Sequence, residues 1–558
     1  MISKREDSSR FGLEKKLLLS QFIFGGLLLL ILLSSVMVPI YSDEIALKLV
    51  KTDVWLADFN LRSLFPQCSL SYEYVPASLL PGAMVYSVIY SSNDPIILRL
   101  IGVFIVFLWL SVIWAISNKI FGSNLDKTKT IYLALVAVCS LGVAPFIYVL
   151  FRPEAIMLLG ILILIWTSLN LTDITKNSRL VRFVAMAVFL TISSLVFYAH
   201  PKALFYAPLI LFLSSYFYRA GGKIEAYLLG SGVLILAYQT YLLASAAKCK
   251  ESAFVTNLVK NNVSDLPDDF FGLISQLISN VYLAIINMSS HASFNHKYQS
   301  NWLPKDEDIT LFQKLVGDIN EWVIILLLFG LLWLFVTKVF NFIICKNIKR
   351  SEVVACLVMV AIVGQLSLFN PSKMHFYNLG LIVPLAIVSV IFLSETFINK
   401  ISVRTVNVIS LPVMLLGITS LLVLTSHAAY PLYNLNFNDK RLEITKAQPL
   451  SAKTVLDDGQ LESLKDLAKK CELPLHNANR LIVDGVSFRI FNQLKEPVLI
   501  FYAQSYGKGD ELEPIFGQFF KKYDSDGVIA ACRFIPESMR ERVVEIDGMC
   551  CISKENLY

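Results

Sequence analysis

Charge is what this chain has least of. Only 16% of its 558 residues are Asp, Glu, Lys or Arg, against 55% hydrophobic, a balance that excludes an ordinary soluble protein. Catalytic signatures are scarce as well. There is no Gly-rich phosphate loop, no His/Cys metal-ligand spacing, no nucleophile elbow and no internal repeat, so the sequence offers no nucleotide site and no repeat architecture. A net charge of +6 carries no weight for nucleic acid, because the basic residues fall in short clusters between apolar runs. No small-residue cleavage site follows the first apolar run, which therefore reads as a retained span rather than a signal peptide.

What the chain does have is apolar runs of bilayer length, each of about 20 residues. Eleven spans are expected, near 17–41, 96–117, 130–151, 154–171, 183–199, 203–218, 225–247, 322–344, 352–370, 378–398 and 405–426. With the basic N-terminus on the cytoplasmic side, every cytoplasmic turn is basic: Lys119, Lys127 and Lys129; Lys176, Arg179 and Arg182; Arg219 and Lys223; Lys346, Lys349 and Arg350; Lys400 and Arg404. That is the positive-inside pattern. The stretch "FFGLISQLISNVYLAIINM" (270–288) is interrupted by Ser275, Gln276, Ser279 and Asn280. It is expected to lie in the outer interface or against the bundle. Interfacial helices are expected in the long outer loops 42–95 and 248–321.

Past residue 426 hydropathy falls, and 427–558 reads as a small soluble α/β domain on the outer face. "DDGQLESLKDLAKKC" and "ELEPIFGQFFKKY" read as helices. "RLIVDGVSFRIF", "PVLIFYA", "GVIAACRFI" and "VVEIDGMCCI" read as strands. The fold class expected is thus a polytopic α-helical membrane protein of about eleven spans with a C-terminal α/β domain. Cys471, Cys532, Cys550 and Cys551 form a plausible disulfide set in an oxidising compartment, with buried free thiols as the alternative; vicinal Cys550 and Cys551 are not expected to pair with each other.

The scarce charges gather where topology disfavours them. Short outer turns hold Arg152, Pro153 and Glu154 ("LFRPEAI"), His200, Pro201 and Lys202 ("YAHPKALF"), and Lys373 and His375 ("FNPSKMHFYN"). Asp43 and Glu44 follow the first span on the same face. Any one cation could simply snorkel to the headgroups, and the two acids could simply favour a helix start. Taken together on one face they fit a single reaction, sugar transfer from a lipid phosphate to a hydroxyl. Asp43 or Glu44 would take the acceptor proton. Arg152, Lys202 and Lys373 would hold the phosphate as it gathers charge, with His200 and His375 as hydrogen-bond donors. Displacement in one step would invert the anomeric centre.

These same stretches resemble the GT-C glycosyltransferases, membrane enzymes that use polyprenyl-phosphate sugars. "YSDEIALKL" resembles that family's first-loop acidic motif, and "RPEAIMLL", "HPKALFYAPLILFL" and "PSKMHFYNLGLIVPL" resemble its later outer turns. The resemblance covers roughly residues 1–420 and reaches toward protein mannosyltransferases, aminoarabinose transferases and arabinosyltransferases. It implies a GT-C-like catalytic domain over 1–426, Asp43 as the base with Glu44 its neighbour, and Arg152, Lys202 and Lys373 as phosphate contacts. The donor would be a polyprenyl-phosphate sugar, and the acceptor a glycan, lipid or protein. No dedicated cofactor is implied, although carboxylates with a phosphate could share a divalent cation. The expected location is a bacterial inner membrane, N-terminus cytoplasmic and C-terminus periplasmic. The alternatives are a transporter or flippase of polyprenyl-linked sugars, and an envelope polysaccharide polymerase or ligase.

Overall fold

The computed structural model describes residues 2–38, 40, 44, 75–92, 94–122, 124–174, 178–220, 222–246, 267–294, 296, 299, 303, 309–345, 349–430, 432–433, 458–473, 481–484, 487, 498–499, 525–535, 537–546 and 548–557. Asp43, most of the two long outer loops, and the helix expected at 511–523 lie outside these residues.

The helices, in chain order, are α1 (Ile2–Ser34), α2 (Leu80–Ile89), α3 (Pro95–Phe121), α4 (Leu125–Cys139), α5 (Ala144–Tyr148), α6 (Pro153–Ile174) and α7 (Arg179–Ala199). They continue as α8 (Ala207–Arg219), α9 (Lys223–Ala246), α10 (Phe270–Ser289), α11 (Leu311–Cys345), α12 (Arg350–Leu368), α13 (Phe376–Lys400), α14 (Val403–Leu424) and α15 (Asp458–Lys470). Ten of them are long and apolar enough to cross a bilayer. Two expected spans are built in pieces. Residues 125–148 run as α4, a turn and α5, and residues 201–219 run as a 3-10 turn followed by α8.

The break between α4 and α5 has a local cause. Gly142 has φ +61°, and a Cβ there would stand 1.6 Å from the Ala292 carbonyl oxygen. Its N–H donates to Ser420 Oγ at 2.7 Å. Only glycine permits both the left-handed backbone and that approach.

Side-chain pairs sort the turns into two ends of the bundle. At one end Arg99 reaches back to the Val38 carbonyl, and Lys202 reaches Glu154 and Asn378. At the opposite end Lys127 donates to the Ile401 carbonyl, Arg182 faces Glu225, and Lys349 pairs with Glu395. The basic turns gather at this second end, as the charge pattern requires. Helices α6 and α13 are the most enclosed of the bilayer-length helices. They pack against each other and against α3, and both begin at the first end.

The interrupted stretch 270–288 forms α10, which packs along α12. Asn280 Nδ2 donates to the Ser367 carbonyl at 2.7 Å and Asn287 Nδ2 to the Pro371 carbonyl at 3.1 Å. The polar interruptions are thus what fasten the helix to the bundle. It is one of the ten helices of bilayer length.

In the tail, β1 (Leu481–Val483), β2 (Val498–Leu499), β3 (Gly527–Ala531), β4 (Val544–Ile546) and β5 (Met549–Ser553) form one sheet in the order β2-β1-β3-β5-β4. β1 runs parallel to β2 and β3, and β5 runs antiparallel to β3 and β4. The stretch "VVEIDGMCCI" is therefore a hairpin, not one strand. Gly548, with φ +76°, makes the turn the hydrophobic pattern conceals. Cys471 is bonded to Cys551 and Cys532 to Cys550. The neighbouring cysteines of β5 thus tie it to α15 on one side and to the end of β3 on the other. Cys139 and Cys356 remain thiols.

Candidate active site

Prolines begin the helical turns at the first end, and the charged residues flank them. Asp94 caps α3, accepting from the Ile96 and Ile97 N–H groups, with proline next. Arg99 lies in the second turn of that helix. Farther along, Gly102 allows α3 to approach the 149–151 turn: a Cβ there would stand 2.2 Å from the Val149 carbonyl oxygen. Pro153 opens α6 and leaves Arg152 just before the helix and Glu154 in its first turn. His200 is extended (φ −158°, ψ 143°) ahead of Pro201, the conformation a following proline favours, so α7 stops there. His200 Nδ1 then accepts the Lys202 backbone N–H at 3.0 Å, aiming the lysine inward.

Three turns far apart in sequence converge on Glu154. Lys202 Nζ donates to Glu154 Oε1 at 2.9 Å and to Asn378 Oδ1 at 2.7 Å. Arg152 Nε lies 3.5 Å from Glu154 Oε2, and His200 Nε2 lies 3.9 Å from Oε1. Tyr377, in the first turn of α13, provides a ring against both cations. Arg152 Cζ is 4.3 Å and Lys202 Nζ 4.6 Å from its centroid. Arg152, Glu154 and Lys202 are all buried. Burial pushes the Lys202 ammonium below its ordinary value, and the adjoining Glu154 carboxylate works against that shift. A small pocket opens beside the cluster, walled by Trp109, Ile147, Tyr148 and Tyr377, with Arg152 and Glu154 as its charged side.

Glu44 occupies a different setting. It is fully buried and held bidentately by the equally buried Arg99, Nη1 to Oε1 at 2.6 Å and Nη2 to Oε2 at 2.7 Å. Arg99 Nε donates to the Val38 carbonyl at 2.8 Å. The Phe151 N–H also donates to Glu44 Oε1. One carboxylate thus fastens the start of the first outer loop both to α3 and to the residue preceding Arg152.

Of the sequence-derived candidates, Arg152, His200 and Lys202 come together, and Glu44 docks on the neighbouring turn. Asp43, the covalent neighbour of Glu44, lies outside the described residues, as does the side chain of Lys373. The Lys373 backbone belongs to the 3-10 turn Pro371–Lys373. His375 occupies the N-cap position of α13; its ring lies 5.5 Å from Tyr377 and 6.3 Å from His291. Arg99, Tyr377, Asn378 and His291 were not singled out by the sequence. For Arg99 a signal existed, a lone cation inside an apolar run, opposite an acid that needed a partner.

A divalent ion does not fit the described carboxylates. Glu44 is committed to Arg99, and Glu154 to Lys202 and Arg152, so both acids are already balanced by cations. Among the described residues the one close group of potential metal ligands is Cys532, Glu545 and Cys550, and its two sulfurs are joined in a disulfide.

No protein-family model and no curated protein sequence matches the chain. Among solved structures it is similar to the oligosaccharyltransferase of Archaeoglobus fulgidus. One crystal structure of that enzyme, tethered to an acceptor peptide containing the NVT sequon, aligns at TM-score 0.43 and 12% identity, covering 91% of this chain and 69% of that one. AglB in complex with an inhibitory peptide and a dolichol-phosphate aligns at 0.43 and 11%, covering 94% and 70%. The apo form aligns at 0.44 and 12%, covering 93% and 70%. Likeness at this level carries no inference about substrate or mechanism.

Proposed function

We propose that the chain is a GT-C-type membrane glycosyltransferase. It moves a sugar from a polyprenyl-phosphate donor to a hydroxyl of a cell-envelope glycan, lipid or protein, on the outer face of a bacterial inner membrane. The observation that carries this reading is the convergence of Arg152, His200 and Lys202 from separate turns at one end of an apolar bundle. The acidic segment ending in Glu44 is hydrogen-bonded to the residue just before Arg152.

In this reading the acceptor oxygen attacks the anomeric carbon as the bond from that carbon to the phosphate oxygen breaks. The acceptor proton passes to Asp43, the electron pair leaves on the phosphate, and the centre inverts. Arg152 and Lys202, with Lys373 joining them, meet the charge that builds on the departing phosphate. His200 and His375 donate hydrogen bonds. Fixed cations in a site screened from water are worth more to a developing charge than the same groups in bulk solvent. Of the two acids the base role goes to Asp43, because both Glu44 oxygens are engaged by Arg99. Residues 1–426 form the catalytic domain, and the disulfide-bonded domain at 427–558 lies on the same oxidising side.

Reconstituted protein supplied with polyprenyl-phosphate pentose and hexose donors tests this directly, with release of polyprenyl phosphate as the readout. Asp43→Asn should abolish release, and release that persists in both Asp43→Asn and Asp43→Asn/Glu44→Gln removes the base assignment. The glycan that loses a sugar when the gene is deleted identifies the acceptor.

A further inference from the structure

At the end of the bundle opposite the candidate active site, four basic residues are matched. Arg182 Nε lies 3.7 Å from Glu225, Lys338 is bonded to Glu352, Lys349 Nζ lies 3.0 Å from Glu395, and Lys127 caps the Ile401 carbonyl. Arg219 and Arg350 are among those that do not follow this pattern. Among the described residues neither Arg219 nor Arg350 has a carboxylate within 4.0 Å.

Arg350, at the start of α12, lies against α8. Its Cζ is 5.1 Å from the Tyr216 ring centroid and 6.0 Å from that of Phe212. Those two rings meet edge to face at 6.0 Å, a shelf that fixes the guanidinium plane. Arg350 Nη1 is shielded from solvent and has no hydrogen-bond partner. A shielded charge-bearing N–H left unmatched is costly unless something accepts from it. Arg219 follows Tyr216 by three residues and so stands on the same face of α8. Arg219 thus stands on the face of α8 that carries the shelf, and among the described residues neither guanidinium forms an ion pair with an acid.

We propose that Arg219 and Arg350, backed by Tyr216 and Phe212, form a binding site for the phosphodiester headgroup of an anionic phospholipid in the cytoplasmic leaflet. A guanidinium presents parallel N–H groups that match two phosphate oxygens, which an ammonium cannot do. The turns at this end, 219–223 and 345–350, carry the basic bias of a cytoplasmic face, where anionic lipid is found. The acyl chains would lie along the outside of α8 and α12, where the bundle meets the bilayer. The site is distant from the reacting groups, and its case stands whether or not the glycosyltransferase reading holds.

The test uses the full chain in nanodiscs of phosphatidylcholine doped with phosphatidylglycerol, with retained lipid counted by native mass spectrometry after release into detergent. The wild type should retain phosphatidylglycerol in preference to phosphatidylcholine. Arg219→Gln and Arg350→Gln should each lower that retention about fivefold, and the double variant by roughly 25-fold, the effect of about one surface charge apiece. Arg350→Lys keeps the charge but loses the fork, and should fall between wild type and Arg350→Gln. Thermal unfolding in pure phosphatidylcholine nanodiscs, unchanged in the double variant, separates lost binding from lost folding. Equal retention of the two lipids, or full retention in the double variant, overturns the proposal. Displacement of the lipid by inorganic phosphate at equal concentration would show a soluble-anion site and overturn the lipid assignment.

Discussion

Replacing Glu44 by Gln, Arg99 by Met, and both together would measure whether this ion pair is a fastening or part of the chemistry. Both side chains are wholly buried. Among the described residues Arg99 gives two N–H groups to Glu44 and one to the Val38 carbonyl. Glu44 additionally takes the Phe151 N–H. Charge-assisted bonds of this kind are each worth about 1.5–3 kcal/mol, yet desolvation offsets much of that sum. Breaking a buried pair from one side costs about 3–5 kcal/mol, because the survivor is left as an uncompensated charge. Each single variant should lose that much, whereas the double variant buries no charge and should recover at least about 2 kcal/mol of the summed loss. Denaturant unfolding of the purified protein in one fixed detergent supplies the four corners of the cycle, and donor turnover is read on the same samples. Additive single effects would refute the fastening. A Glu44→Gln protein as stable as wild type but inactive would make Glu44 the base instead.

Other outcomes follow from the same geometry. Lys202→Ala and Arg152→Ala should each lower turnover about 10²–10³-fold with the protein still folded, as loss of one charge-stabilising group does; unchanged kinetics would remove them from the phosphate site. Tyr377→Phe should resemble wild type, whereas Tyr377→Leu gives up contacts worth about 0.5–2 kcal/mol per cation and should raise the donor KM several-fold to tenfold in steady-state assays. Polyprenyl phosphate should inhibit more strongly than polyprenyl diphosphate in a competition assay; the reverse order would point to a lipid-diphosphate donor. Cys471→Ser/Cys551→Ser should destabilise the tail by about 2–5 kcal/mol, measured by limited proteolysis across a denaturant series. After reduction of sealed cells, an impermeant maleimide should label these cysteines in the wild type; labelling that appears only after the cells are lysed would place the tail on the cytosolic side.

The sequence revealed the membrane architecture because bilayer spans are read from composition, and composition survives any detail of packing. It also revealed the turn chemistry at Pro153 and Pro201, where a proline sets the conformation of the residue before it. Segmented spans were less legible. Hydropathy over 130–151 shows one apolar run, and only the Gly142 conformation and its contact with Ala292 show why α4 and α5 cannot be a single helix. Partner choice was the least legible of all. Arg99 and Glu44 are 55 residues apart, and nothing local to either announces the other. Glu154 stood in plain view within "LFRPEAI". Its part as the meeting point of three turns depends on α6 and α13 beginning, and α7 ending, at the same end of the bundle, which is a property of the assembled helices.

The charge count at that meeting point bears on what it can hold. Arg152 and Lys202 bring two positive charges, Glu154 removes one, and Glu44 with Arg99 contributes none. The described residues therefore leave one positive charge in surplus, and in the proposed site Lys373 and Asp43, of opposite sign, would leave that sum unchanged. A sugar joined to a lipid through a single phosphodiester carries one negative charge and matches that surplus, whereas a diphosphate exceeds it. The match is better for the bound donor than for the leaving group, since a departing phosphate monoester gains a second charge near neutral pH. Something must meet that second charge at the moment the bond breaks. His200 is placed to do so, because its Nε2 already faces Glu154 while its Nδ1 holds the Lys202 backbone. Because Nδ1 accepts that N–H, the neutral ring carries its proton on Nε2, where it can donate a hydrogen bond to the departing oxygen without moving any other group in the cluster.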